Sequence, residues 1–131
     1  MGSLRVSDAD AHSDSVSTYA SKLARGDATY IAERLAYAGS RSSVVKNAKA
    51  AIESHIENLQ LGKKQEVLAQ LLNALMDLEK GYGVVEEQYI RERMRSFKIY
   101  LYVRLGNIML DHVKLIRGAQ KDNNNYGNNE N

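Results

Sequence analysis

Not one proline occurs in this chain of 131 residues, and its apolar residues recur over long stretches in steps of three and four. Proline kinks helix interiors and fixes turns, so without it glycine is left as the main punctuation. Steps of three and four place side chains on one face of a helix. Together these features predict an all-α fold, a four- to five-helix bundle with a long C-terminal helix.

That helix has the clearest pattern. Ile90, Met94, Phe97, Leu101, Leu105, Ile108, His112 and Leu115 keep one helical phase between Tyr89 and Lys121. A helix of about 30 residues would span about 45 Å. From Ile99 onward a second apolar edge appears through Val103, Met109, Leu110 and Val113. A helix apolar on more than half its circumference needs neighbours on two sides. One side is served by its own bundle, and the other reads as an oligomer or partner interface.

A rival pattern lies in the same segment. Phe97 to Leu105 alternates with period two and is rich in β-formers, and Gly106-Asn107 follows as a two-residue turn. The alternative is therefore an α+β fold with a hairpin at about 97–116. The alternation fails in the return segment, where each face mixes apolar and charged residues, and the pattern favours the helix.

Upstream, Asp14 or Ser15 caps a first helix with Val16, Tyr19 and Leu23 inward, and Gly26-Asp27 offers a stop and a fresh cap. A second helix carries Tyr30, Ile31, Leu35 and Ala38 and stops at Gly39. One continuous helix through Gly26 is the alternative, since an interior glycine costs only about 1 kcal/mol. A third helix starts at Ser42-Ser43, carries Val45, Ala48, Ile52, Ile56 and Leu59, and closes at Gly62. A fourth spans roughly 64–80 with apolar residues too widely spread for one stripe, which predicts the central helix. Residues 1–14 read as a flexible lead-in, 15–121 as a single helical domain and 122–131 as a disordered Asn-rich tail.

Composition narrows the chemistry. Cysteine is absent, which removes disulfides, thiolate nucleophiles and zinc knuckles. No stretch approaches the roughly 20 consecutive apolar residues of a membrane span. The N-terminal residues lack an apolar core and include acids, unlike a signal or transit peptide. The expectation is a cytoplasmic or virion protein with no membrane partner, not a secreted one.

The three histidines, His12, His55 and His112, form no ligand pair at helical spacing, and His55 and His112 sit beside apolar positions where a packed histidine is the simpler account. Glu86-Glu87 and Asp77/Glu79 point apart on a helix and make no shared acid–base site. Met76, Met94 and Met109 fall at core phase and require no cofactor. No catalytic, metal or cofactor residues are assigned, and the chain reads as a non-enzyme.

Charge supplies the remaining signal. Tyr89 to Lys121 carries eight Lys and Arg against two acids, while the whole chain is only +2. Arg91, Arg95 and Lys98 share one edge of the helix; Arg93, Tyr100 and Arg104 share a face read as exposed. Guanidinium groups fork onto phosphates, and an exposed tyrosine stacks on an unpaired base. This set predicts a nucleic-acid interface, DNA or RNA, and a structural protein of a nucleoprotein complex or particle. The competing reading is that these cations solvate a long helix and lay their stems over apolar neighbours. The chain is then a protein-binding module or oligomeric adaptor without nucleic acid.

Leu35-Ala36-Tyr37-Ala38-Gly39-Ser40-Arg41 resembles the Ala-Tyr-x-x-Gly-Arg stretch of the small helical subunit of type III CRISPR effectors. The likeness covers seven residues and interposes Ser40 before Arg41, so no residue role is carried over from it.

Overall fold

A computed structural model describes residues 15–38, 43–82 and 87–129, with backbone alone at 81–82 and 122–129. Five helices follow in order: α1 (Val16–Ala24), α2 (Ala28–Tyr37), α3 (Ser43–Ile56), α4 (Leu61–Tyr82) and α5 (Gln88–Asn129). No strand occurs among the described residues. The fold is an all-α bundle with a long C-terminal helix.

Local chemistry sets the first break. The Ser15 hydroxyl accepts from the Thr18 amide at 3.2 Å and caps α1. Gly26 ends that helix at φ +77°, a conformation that costs a side chain-bearing residue strain. The Asp27 carboxylate then accepts from the Tyr30 amide at 3.2 Å and starts α2. A helix running unbroken through Gly26 is thereby replaced by a sharp corner. Tyr19 and Tyr30 pack edge to face across it, with ring centroids 6.1 Å apart.

Packing joins α1 to α3, α2 to α4 and α4 to α5. Helix α4 lies between α2 and α5, the central position its wide apolar set requires, and buries Leu68, Leu71, Leu72, Leu75 and Leu78. Helix α5 answers with Ile90, Met94, Phe97, Leu101 and Ile108. Among the described residues, no buried side-chain polar atom lacks a hydrogen-bond partner.

The structure corrects several sequence expectations. The hairpin alternative at 97–116 is overturned, because the segment is helical throughout. Its apparent alternation is two helical stripes: Phe97 and Leu101 face inward four residues apart, while Ile99 and Val103 face outward four residues apart. Gly62 does not close α3. That helix ends at Ile56, and Gly62 stands in the first turn of α4. Helix α5 itself extends to Asn129. Met109 is exposed rather than at core phase because it lies on the outward stripe, whereas His112 and Leu115 keep the inner phase and are exposed because the bundle ends at Ile108 and α5 runs on past it. The expected lead-in at 1–14 and the stop at Gly39 lie outside the described residues.

The inner stripe of α5 should therefore divide sharply in its energetics. Phe97→Ala removes a fully buried ring and should cost about 3–5 kcal/mol, whereas Leu115→Ala, on the same stripe but 65 % exposed, should change stability by no more than about 0.5 kcal/mol. Urea denaturation followed by circular dichroism measures both; equal losses would contradict the packing described.

Candidate interaction interface

Three of the eight basic residues of α5 are placed by the bundle into structural contacts. Arg93 donates from Nη1 to the Leu35 carbonyl at 2.9 Å, neutralising an acceptor in the last turn of α2. Lys98 pairs with Glu79 of α4 at 2.9 Å, both partly covered. Arg104 donates from Nε to Glu53 of α3 at 2.8 Å. The Tyr100 hydroxyl donates to the same Glu53 carboxylate oxygen. The Lys49 ammonium stands 5.0 Å from the Tyr100 ring centroid, and Phe97 packs 5.5 Å away.

Arg93, Tyr100 and Arg104 do share one side of α5, as their spacing requires. That side, read as exposed from the sequence, is half-buried against α2 and α3. Periodicity specifies which residues lie together but not which side the bundle covers. Of the six candidate nucleic-acid contacts, Arg91 and Arg95 are exposed, and Tyr89 lies near them with its ring 5.8 Å from the Arg93 guanidinium.

Glu53 is the hub of the α3–α5 junction. Burial first, then the hydrogen bond to Glu53 and the charge of that carboxylate, hold the Tyr100 phenol well above its ordinary value; Arg104 acts in the opposite sense. An open cleft of about 430 Å³ lies beside the junction, lined by Glu53, Ser54, Ile56, Glu57, Lys64 and Arg104. Its central carboxylate is already engaged by two donors, which leaves it poorly placed for acid–base work. No cluster of three or more metal-ligating side chains occurs among the described residues.

The opposite side of α5 is different. Val103, Met109, Leu110 and Val113, expected at a partner interface, are 54, 58, 52 and 40 % exposed. Ile99, Tyr102 and Ile116 join them, each between 44 and 56 % exposed. On a wheel of 100° per residue this outer stripe lies about 140° from the inner one. Its centre line, Ile99, Tyr102, Gly106, Met109, Val113 and Ile116, steps by 3, 4, 3, 4 and 3. That spacing is the a/d pattern of a coiled-coil seam. Reading one face at a time concealed it, because Tyr102 and Gly106 do not register as apolar in a stripe count. Counting the 3-4 alternation directly would have found it.

Among the described residues no helix is long and apolar enough to cross a membrane. Comparison with protein-family models, curated proteins and solved structures gave no match.

The Glu53 hub has a measurable signature. A phenol with a raised folded value contributes stability below its unfolded value near 10, and that contribution is lost as pH rises through the folded value. In an ultraviolet titration of native protein, Tyr100 should ionise above the ordinary range of a phenol. Glu53→Gln should move its ionisation to lower pH while costing about 1 kcal/mol, because the pair it leaves is partly exposed. An unchanged titration in that variant would show that Glu53 does not control the phenol.

Proposed function

We propose that the chain is a non-enzymatic assembly protein of the cytoplasm or of a virion, docking onto a protein surface through the outer face of α5. The observation that carries this reading is the row of large apolar side chains from Ile99 to Ile116, each 40–58 % exposed, at coiled-coil spacing. Contiguous apolar surface of this extent marks an interaction site rather than ordinary surface. Beyond Ile108 the helix runs on for 21 residues, about 30 Å, presenting the second half of that row, Met109 to Ile116, clear of its own core.

Phosphate contact through the basic segment is less favoured. Arg93, Lys98 and Arg104 already hold partners within the fold, and the Tyr100 hydroxyl is engaged by Glu53. A nucleic-acid surface would have to be built from Arg91, Arg95 and the cations of the projecting segment, Lys114, Arg117 and Lys121.

The two readings separate in solution. Assembly predicts a species larger than the 14.7 kDa chain in light scattering, converted to monomer by Val113→Glu with helicity retained. A clean monomer at about 100 μM, well above the micromolar range in which specific interfaces of standard size associate, excludes self-association and requires a different protein as the partner. Salt-steep binding to DNA or RNA at about 50 mM salt, flattened by Arg91→Ala with Arg95→Ala, would establish the nucleic-acid function in its place.

A further inference from the structure

The outer seam of α5 has a property that an arbitrary docking face lacks, namely complementarity to its own reverse. We propose that its occupant is a second copy of the chain, packed antiparallel about a twofold axis passing between Asn107 and Ile108. This rests on the docking reading above and specifies the partner.

In an antiparallel coiled coil each a position faces a d position of the other helix. With the axis at that point, Ile99 faces Ile116 of the second copy, Tyr102 faces Val113, and Gly106 faces Met109. Every apolar seam residue meets an apolar residue or the glycine, and the bulky members, Tyr102 and Met109, each meet a smaller one. Sliding the register by one heptad in one direction sets Val113 against Arg95; sliding it the other way sets Tyr102 against Gln120. A parallel, in-register pairing does worse. It stacks Tyr102 on Tyr102, Gly106 on Gly106 and Arg95 on Arg95, leaving a void and a like-charge contact.

Gly106 supplies an independent argument. A glycine inside a helix costs about 1 kcal/mol relative to alanine. A Cβ added at Gly106 would meet nothing within 4 Å, so packing within the chain does not require the glycine. In the antiparallel seam the missing side chain is the space that receives Met109 of the second copy.

Flanking positions agree. Val103 and Leu110 occupy the e positions beside the seam and face each other across the axis. Lys114 and Lys121 fall at b positions and point away, and Arg117, at the next e position, falls beside Ser96 of the second copy. Seven half-exposed apolar side chains offer on the order of 600 Å² per copy before polar edges are counted, approaching the roughly 800 Å² per partner of a specific interface. The seven-residue spacing drifts by about 20° per heptad on a straight helix, and the left-handed supercoil of a pair absorbs that drift. Each projecting end would then lie along the outer face of the other copy's bundle, in an isologous dimer.

The full chain has no cysteine, so single-cysteine cross-linking is clean. Wild-type mass is measured by sedimentation equilibrium, and Tyr102→Cys and Val113→Cys chains are oxidised separately and mixed. The expected result is a dimer, twice 14.7 kDa, with a disulfide formed in the mixture and not by either chain alone. The axis separates the two copies of position 102 by about 16 Å along the helix, beyond disulfide reach. Gly106→Leu, which favours the helix, should weaken dimerisation at least tenfold by filling the space for Met109. An assembled wild type in which Tyr102→Cys links to itself, or in which Gly106→Leu associates unchanged, overturns the antiparallel pairing and leaves the docking reading standing. A species larger than a dimer does the same. A monomeric wild type overturns this inference, while salt-steep nucleic-acid binding flattened by Arg91→Ala with Arg95→Ala overturns the docking reading on which it rests.

Discussion

The contact between α4 and α5 fixes which side of the last helix is inside. Leu71, Leu75 and Leu78 of one helix and Met94, Phe97 and Leu101 of the other are buried together in the core. With that stripe seated, the remaining faces of α5 have no choice of position. One flank meets α2 and α3, and the opposite face looks outward. A helix apolar on two sides, held by a bundle that covers only one, is left with surplus hydrophobic surface. That surplus is the main fact to be explained about the molecule.

The polar contacts around α5 make sense as consequences of this clamp. Arg93 satisfies the end of α2, Lys98 ties α5 to α4, and Tyr100 and Arg104 converge on Glu53 of α3. Each reaches a different neighbour, so together they set the rotation of α5 about its own axis. Partly exposed ion pairs add little net stability. Their value here is orientation, since a modest rotation of α5 would bury part of the outer seam and expose part of the core stripe. Three of the segment's eight cations, Arg93, Lys98 and Arg104, are thus a record of how the helix is held.

Much of the architecture was legible because its causes are local. Ser15 and Asp27 are capping residues with a free amide three positions on, and Gly26 is the residue that tolerates the positive φ of the corner between them. The inner stripe of α5 was legible from periodicity alone. Val103, Met109, Leu110 and Val113 were legible as a second edge for the same reason. What misled was the assumption that charge marks the solvent side. Tyr100 and Arg104 sit among cations in the sequence, and the acid that engages them, Glu53, is 47 and 51 residues away. No local pattern carries a pairing at that separation.

By itself, then, the sequence favoured the helical class over a hairpin at 97–116, offered a corner at Gly26 beside an unbroken helix, and carried the existence of two apolar stripes on the last one. Periodicity and capping act within a few residues, and nothing distant is needed to state them. Only the tertiary structure decided which stripe is core, where the bundle stops at Ile108, and that the basic flank is spent on Leu35, Glu79 and Glu53. Those outcomes depend on the order in which five amphipathic helices cover one another, a competition for buried area that no single segment encodes.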